Sequence, residues 1–328
     1  SFCTLLADAM FAPTGGDDAA SMNAATSALC DVVLLAGGEG ANLMPITGGY
    51  AKALVPVCNR PLIWFSVKSW VDAGVRHLFI CAPAGVLKTL EIELTACTDF
   101  NGASFTFIKV APTPTADNVS AVSGASGASG SEGGTADALR SYFKYKRSLP
   151  PTDPHAAKRD VLVASCDTVF AGIDAWGFVR NFYEGFYTAA GLFYSPCTAH
   201  DDSGATPTCL AVEPPAASSS DGVMHMRVHF VQPEDELGES TTLPAGAVAR
   251  RPNLTFTNAF SDAHVYMLQH WVLEHLDFHR DIVSLQHDLF PMLAGRQMPQ
   301  ITKEGLNPPS KRLEVQNGIP TPAALREP

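Results

Sequence analysis

A short apolar segment near the start of the chain is followed by glycines and a later lysine, in a pattern suited to binding phosphate. An apolar run of this length, residues 32–36, predicts a buried strand. Glycines after such a strand let the backbone approach a phosphate closely and turn its N–H groups toward it. The candidate phosphate-binding residues are Ala36, Gly37, Gly38, Gly40 and Lys52. An exposed lysine is the alternative interpretation of Lys52.

Two common nucleotide-binding loops do not fit this stretch. A dinucleotide fingerprint needs a third small residue where Leu43 stands, and an acid about 20 residues further on, where the chain has Val-Cys-Asn-Arg at 57–60. The Walker loop needs Lys-Ser or Lys-Thr, and Lys52 is followed by Ala53. The sequence therefore predicts a long glycine-rich loop that carries its lysine late.

The segments that must position this loop alternate between strand and helix patterns. Strands are predicted at 32–36, 77–81, 104–110 and 161–165, and helices at 61–74, at 86–96 and from 134 onward. Such an alternation predicts a parallel sheet with right-handed crossovers. Later candidate strands at 188–194, 208–212 and 223–231 predict an antiparallel extension. We expect a Rossmann-like α/β fold with a mostly parallel sheet flanked by helices.

Two segments depart from this alternation. Residues 1–30 are rich in Ala, Ser, Gly and Asp, and we expect an extension that precedes the fold. Residues 112–134 contain no aromatic residue and many Ser, Gly and Ala, so they cannot bury enough apolar surface to offset their ordering entropy. We expect a mobile insertion there, within one elaborated domain over residues 31–328.

Further polar residues stand at predicted element ends. Asp167 follows the predicted strand 161–165, at the edge where open α/β sheets bind ligands. Gly134 and Thr135 open a helix, and free N–H groups at a helix N-terminus attract anions. The alternatives are that Asp167 caps a turn, and that Gly134 and Thr135 only cap their helix.

The histidines do not form a convincing metal motif. His275 and His279 are spaced four apart on a predicted helix, but Leu276 stands where the zinc-protease pattern requires a glutamate. Solvated or capping histidines are the favoured interpretation.

Composition excludes several function classes. The formal net charge of −11 argues against a nucleic-acid surface. Eight cysteines without a Cys-x-x-Cys pair are typical of reduced thiols. No apolar run approaches the ~18 residues of a membrane span, and no secretory leader is evident. We expect a cytoplasmic protein that works through protein partners, without direct nucleic-acid or membrane contact.

The glycine loop, its following Pro45 and Lys52 resemble the nucleotidyltransferases that make nucleotide-sugars, whose signature is Gly-Gly-x-Gly-x-Arg with a later Pro-Lys pair. Continuing through residues 52–64, the chain is most similar to the gamma-subunit family of eukaryotic translation initiation factor 2B. Leu-Val-Ala-Ser-Cys-Asp at 162–167 and Asp-Ala-His-Val-Tyr-Met-Leu-Gln-His-Trp at 262–271 carry the same resemblance. It covers most of residues 31–328 and implies a nucleotidyltransferase-type fold.

The resemblance assigns roles to the candidate residues. In the family, an arginine and a lysine neutralise phosphate oxygens, and two aspartates hold Mg²⁺ on the reacting phosphates. The glycines and Lys52 match the phosphate site, although Ala51 replaces the usual proline, and Asp167 matches the first Mg²⁺ ligand. Gly134 and Thr135 match a stretch that borders the base and sugar of the nucleotide.

Two groups that catalysis needs do not match. Asn42 stands where the enzymes have arginine, and a neutral amide cannot replace a cationic fork on a phosphate. The nearest match to the second acid is Val-Gln-Asn-Gly-Ile-Pro at 315–320, with an amide in its place. We therefore expect a vestigial nucleotide site without catalytic residues, which would take up Mg²⁺ only with a bound nucleotide.

The resemblance implies a regulatory or scaffolding subunit of the guanine-nucleotide exchange factor that acts on initiation factor 2, with the epsilon and other subunits as partners. A β-helix of hexapeptide repeats follows in that family; none precedes Pro328, so we expect the N-terminal domain alone. One alternative is an active sugar-1-phosphate nucleotidyltransferase, for example of the GDP-mannose pyrophosphorylase type. Another is a stand-alone sensor that binds GTP or ATP without turnover or partner.

Overall fold

Nine strands form one mixed sheet in the described part of the chain. The computed structural model describes residues 2–7, 29–38, 40, 43–48, 50–100, 102–111, 133–169, 175–195, 207–213, 223–234, 237, 253–296, 301–302 and 305–306. The strands are β1 (Phe2–Ala7), β2 (Cys30–Leu35), β3 (Pro56–Val57), β4 (Arg60–Pro61), β5 (His77–Ala82), β6 (Ser104–Lys109), β7 (Asp160–Ser165), β8 (Ala189–Tyr194), β9 (Pro207–Glu213), β10 (Val223–Pro233), β11 (Thr255–Leu268), β12 (Ile301–Thr302) and β13 (Gly305–Leu306). The large sheet has the order β6-β5-β2-β7-β11-β8-β1-β10-β9.

The first part of this sheet is parallel, as the sequence predicts. Strands β6, β5, β2 and β7 are neighbours and all run in the same direction. The helices are α1 (Leu62–Asp72), α2 (Ala84–Thr95), α3 (Thr135–Ser148), α4 (Ala175–Glu184), α5 (His270–Phe278) and α6 (Phe290–Arg296). Helices α1, α2 and α3 each connect two parallel strands, which is the crossover arrangement of an α/β sheet. The predicted Rossmann-like class, with an antiparallel extension, is confirmed.

The core lies on both faces of the sheet because successive side chains of a strand point to opposite sides. Val33 of β2 packs with Leu139 and Leu273 on the face covered by α3 and α5. Its neighbour Leu34 packs with Trp70 on the face covered by α1, α2 and α4. A strand covered on both faces has no polar side, and this explains the continuous apolar run in the sequence.

Strand β11 joins the parallel part to the antiparallel extension. It is antiparallel to β7, β8 and β9. Strand β8 pairs with β1, β1 with β10 and β10 with β9, so the extension begins and ends at β11. The strand Phe2–Ala7 pairs with β8 and β10, so these residues belong to the sheet, whereas the sequence placed residues 1–30 before the fold.

No helix among the described residues is long and apolar enough to cross a bilayer.

A buried charge cluster fastens β2 to α3. Asp31 accepts hydrogen bonds from the Tyr142 hydroxyl and the Lys146 ammonium, both at 2.6 Å, and Arg159 lies 3.6 Å away. Buried charges are tolerated where they are paired in this way. Helix α3 runs antiparallel to β2, so its C-terminal half meets the start of the strand. Its N-terminus therefore lies at the edge of the sheet where β2 ends.

Candidate functional site

The candidate site lies at the carboxyl edge of the parallel strands. Leu35 and Ser165 are aligned partners at the ends of β2 and β7, and the Cys166 N–H donates to the Leu35 carbonyl at 3.1 Å. The Ala36 N–H donates to the Cys81 carbonyl at 2.8 Å. Ala36 thus completes the hydrogen-bond ladder, and its N–H is engaged by the sheet. The glycines follow it at the edge where α/β folds bind ligands.

The glycine loop is shaped by one position that requires glycine. Gly40 has φ +66°, and a Cβ atom there would lie 2.9 Å from Thr47 Cγ2. The Thr47 hydroxyl also donates to the Gly40 carbonyl at 3.0 Å. At Gly37 and Gly38 an added Cβ would meet its neighbours at 3.5 Å or more. Asn42, the predicted replacement of the family arginine, lies outside the described residues.

Lys52 lies along this loop and reaches the end of β7. A Cβ at Gly38 would touch Lys52 Cδ at 3.7 Å, and one at Gly40 would meet Lys52 Cβ at 3.2 Å. The Lys52 ammonium lies 2.6 Å from Asp167 Oδ2, and its side chain is 22% exposed. Lys52 is therefore a partly buried, ion-paired lysine. The structure brings together the glycine loop, Lys52 and Asp167, which the sequence assigned to one site.

Asp167 is held as a carboxylate by two neighbours. Burial raises its pKa, but the Lys52 ammonium and the Ser165 hydroxyl, which donates to Asp167 Oδ1, outweigh burial and bring the pKa below its ordinary value. In the described part of the chain, no cluster of three or more Asp, Glu, His or Cys side chains is arranged to hold a metal. Asp167 is one carboxylate engaged by a lysine, so Mg²⁺ bound there would take most of its oxygen ligands from water or from phosphate groups.

The N-terminus of α3 is occupied by another segment of the chain. A Cβ at Gly134 would lie 2.3 Å from the Val283 carbonyl oxygen, which also accepts the Ala136 N–H at 3.0 Å. The Thr135 hydroxyl accepts the Leu285 N–H at 2.9 Å. The Val283 carbonyl thus binds an N–H of the first turn of α3, and the Thr135 hydroxyl binds the docked segment. The roles of Gly134 and Thr135, as helix caps or toward a nucleotide, stay predictions.

Arg140 holds the segment that docks there, and no motif in the sequence pointed to this residue. Its guanidinium donates to the carbonyls of Leu276 at 2.8 Å and of His279 and Ile282 at 2.6 Å, and to Asp137 Oδ1 at 2.8 Å. The side chain is 2% exposed. A planar cation with several donors suits such converging oxygens. Arg140 therefore positions the wall of the site beside α3.

Sequence reasoning also missed a polar bulge beside Asp167. Strand β11 runs antiparallel to β7, so Asp262 and His264 lie near the end of β7, and the Thr168 hydroxyl donates to the Ala263 carbonyl at 3.2 Å. The pairing with β8 shifts between Asp262 and Val265, and His264 has φ +54°. Bulges are frequent beside functional sites. The sequence signal for this bulge was the pair of polar residues Asp262 and His264 within a strand-like segment.

The Asp262 carboxyl is buried and fully engaged. It accepts the Tyr266 hydroxyl at 2.6 Å and the His264 N–H at 2.7 Å. Burial raises its pKa above the ordinary value, more than these partners lower it. This carboxyl therefore holds the bulge in shape.

His275 of α5 and His279, which directly follows that helix, form a ring pair beside a cation. The rings of His275 and His279 lie 4.1 Å apart, and Arg296 Nη1 is 3.5 Å from His275 Nε2. Burial, His279 and Arg296 together lower the pKa of His275 to about 4. A guanidinium at this distance repels a metal ion. Residues 315–320, the predicted position of the missing second acid, lie outside the described residues.

Comparison with known proteins supports the resemblance. Residues 31–145 match the profile of the family described as nucleotidyl transferase. The translation initiation factor eIF2B subunit gamma of Schizosaccharomyces pombe is 23% identical over 270 residues, which is 79% of this chain and 50% of that protein. The chain thus spans half the length of this relative. The resemblance and the nucleotidyltransferase-type fold predicted from the motifs are confirmed.

Shorter matches have higher identity. The mannose-1-phosphate guanylyltransferase catalytic subunit beta of Danio rerio is 41% identical over 64 residues, 20% of this chain and 18% of that protein. The glucose-1-phosphate thymidylyltransferase of Neisseria meningitidis is 40% identical over 82 residues, 25% of this chain and 28% of that protein. Enzymes of nucleotide-sugar synthesis are therefore similar to a limited part of this chain.

Proposed function

We propose that the chain is the nucleotidyltransferase-like domain of a gamma-type subunit of the guanine-nucleotide exchange factor that acts on translation initiation factor 2. In this proposal it scaffolds and regulates the complex in the cytoplasm, paired with the epsilon subunit, and catalyses no transfer itself. The extent of the match carries the proposal. Similarity to the gamma subunit extends over 79% of the chain, whereas the two enzymes match 20% and 25% of it.

The site supports a regulatory role over a catalytic one. Nucleotidyl transfer requires several cationic groups around a triphosphate. The Lys52 ammonium is paired with Asp167, and position 42 carries an amide where the enzymes have arginine. Losing one such donor lowers the rate of an enzyme by roughly 10²-fold or more. A pocket with these features suits retention of shape without turnover.

Affinity purification of the tagged protein from a eukaryotic cell extract tests the assembly. We expect the epsilon subunit to co-purify in a near one-to-one ratio, as measured by quantitative mass spectrometry and by sedimentation of the complex. An unrelated tagged nucleotidyltransferase is the matched control. Recovery of the chain without any exchange-factor subunit, from an extract in which the exchange factor itself is intact, would overturn the proposal.

A second candidate is an active sugar-1-phosphate nucleotidyltransferase. It is favoured by the retained glycine loop, by Lys52 and Asp167 at its edge, and by the local identity of 40% or more to such enzymes. Lys52 would then bind the phosphates, and Asp167 would hold Mg²⁺, which neutralises charge on the reacting phosphates.

Release of pyrophosphate distinguishes the two candidates. Purified protein is mixed with Mg²⁺, each nucleoside triphosphate and each hexose-1-phosphate, and Lys52→Met serves as the inactive control. We expect no release above that control. Turnover near one per second, within the ordinary range of enzymes, would establish the transferase instead. Tight binding of GTP or ATP without turnover and without a partner would indicate a stand-alone sensor.

A further inference from the structure

The Lys52 side chain lies between the glycine loop and the end of β7. Its Cδ faces Gly38 and its Cβ faces Gly40, so the aliphatic stem lies against the loop backbone. Its ammonium then reaches Asp167 at 2.6 Å. The stem covers the loop, and the ammonium binds the one carboxylate that follows β7. One side chain thus occupies both halves of the candidate site.

Each partner of this ion pair is the group that one class of ligand needs. An anionic phosphate group needs the ammonium of Lys52, and a divalent cation needs the carboxylate of Asp167. While the pair is closed, each charge is neutralised by the other. Either ligand must therefore compete with an internal partner.

We propose that the Lys52–Asp167 ion pair is an internal latch, which must open before the glycine loop accepts a polyphosphate anion such as pyrophosphate. The proposal deepens the proposed function, since it rests on a retained phosphate pocket that does not turn over. The latch sets the ligand class, because the anion takes the ammonium while a divalent cation takes the carboxylate. Each ligand then lowers the cost of binding the other, which is reciprocal coupling between the two.

The contacts around the pair make opening feasible. The side chains of Lys52 and Asp167 are 22% and 33% exposed, so water can replace either partner. The Ser165 hydroxyl donates to the other carboxylate oxygen and stays when the lysine leaves. A lysine stem has four rotatable bonds and can swing toward solvent. An ion pair of this exposure contributes little to stability, so its opening leaves the fold intact.

Calorimetric binding of inorganic pyrophosphate tests the latch, first with EDTA and then with Mg²⁺. Asp167→Asn should tighten metal-free binding about fivefold, the factor that corresponds to about 1 kcal/mol for a partly exposed ion pair. Mg²⁺ should tighten binding to the unmodified protein more than to Asp167→Asn. The matched control is Asp72→Asn, which removes the partner of Lys68 in an exposed pair on α1 and should leave the affinity unchanged.

A double-mutant cycle separates the latch from simple removal of negative charge. If the latch holds, the increase in pyrophosphate affinity caused by Asp167→Asn requires Lys52 and is lost in a Lys52→Met background. An equal increase in pyrophosphate affinity in both backgrounds, or no increase when Lys52 is present, would overturn the latch proposal. Lys52→Met tests the carboxylate of the pair. Because it frees Asp167, it should tighten Mn²⁺ binding at least about threefold, and an unchanged Mn²⁺ affinity would also contradict the latch proposal.

These measurements use the isolated protein and are independent of assembly. If the epsilon subunit co-purifies but Asp167→Asn does not change the affinity for pyrophosphate, the proposed function stays in place and the latch proposal fails. Pyrophosphate release by the unmodified protein would remove the proposed function, while the binding cycle would still decide the latch.

Discussion

The buried ammonium of Lys146 lies 2.6 Å from the carboxylate of Asp31, and this ion pair connects the strand that leads into the glycine loop with helix α3. The Tyr142 hydroxyl shares the same carboxylate oxygen. Because α3 and β2 are antiparallel, the pair fixes the opposite end of the two elements that border the site. The geometry of the loop therefore depends on a contact far from it.

Lys146→Met should destabilise the fold by about 3 kcal/mol, because it leaves the Asp31 carboxylate buried with fewer partners. Urea unfolding followed by circular dichroism measures the loss. Lys68→Met is the control, since it breaks an exposed pair with Asp72 and should cost less than about 1 kcal/mol. A loss for Lys146→Met no larger than that of the control would show that the buried pair is unimportant.

Local patterns predicted much of this architecture. The apolar runs of β2, β5 and β7 identified buried strands, and the positions of Ile63, Val67 and Trp70 identified the inner face of α1, where all three are fully buried. Such signals are read from neighbouring residues. Lys52 and Asp167 could each be assigned to the site because each stands beside such a signal.

Long-range pairing could not be predicted in the same way. The contact between Lys52 and Asp167 depends on where the turn at Lys52–Leu54 lies relative to the end of β7, and no periodicity encodes that distance. Arg140 looked like an ordinary helix residue, because its acceptors are backbone carbonyls of a distant segment. The bulge at His264 was missed because it adds two residues, Ala263 and His264, and an even insertion keeps the side-chain alternation of the strand in phase.

Arg140→Lys should loosen the segment that docks on the N-terminus of α3. A lysine keeps the charge but cannot donate to several carbonyls at once, so buried acceptors lose their partners. We expect the amide hydrogens of Ala136 and Leu285 to exchange at least about tenfold faster in native-state hydrogen exchange. Arg147→Lys, at a residue whose side chain is 68% exposed, is the matched control. Unchanged protection of both amides would contradict the positioning role.

Gly134→Ala tests the close packing at the same helix end. The added Cβ would lie 2.3 Å from the Val283 carbonyl oxygen, so the docked segment must move away. We expect a loss of about 2 kcal/mol in the free energy of unfolding, measured in urea. Gly85→Ala in α2 meets nothing within 4 Å and should instead be neutral or slightly stabilising. Equal effects of the two substitutions would exclude tight packing at Gly134.

His77 predicts a pH dependence of stability. Burial, the stacked His155 ring and the more distant Lys146 lower its pKa to about 4, against the pull of Asp31 and Asp153. An unfolded chain protonates this imidazole near pH 6.5, so between about 6.5 and 4 the unfolded state binds more protons. Stability should therefore fall as the pH falls through this window.

An imidazole titration followed by NMR measures the His77 midpoint directly, and urea unfolding at several pH values measures the stability. His77→Gln removes the titrating group and should flatten the dependence, although His275 contributes in the same direction with a pKa of about 4. His155→Gln should raise the His77 midpoint, because it removes the second cause of its lowered pKa. A midpoint near 6.5 in the unmodified protein would refute the assignment.

The two glycines that face Lys52 separate the shape of the loop from its capacity to bind phosphate. Gly40→Ala places a Cβ at φ +66° and 2.9 Å from Thr47, and should cost about 1 to 2 kcal/mol of stability. Gly38→Ala meets only an ordinary contact at 3.7 Å, so the fold should be nearly unaffected.

If the loop cradles phosphate, Gly38→Ala should nevertheless weaken pyrophosphate binding, since the added methyl group obstructs the close approach that glycine permits. Thermal unfolding and calorimetry on the same samples separate the two effects. Unchanged affinity in Gly38→Ala would mean that phosphate does not contact this part of the loop. The glycines would then be needed only for the turn around Gly40 and for the packing of Lys52.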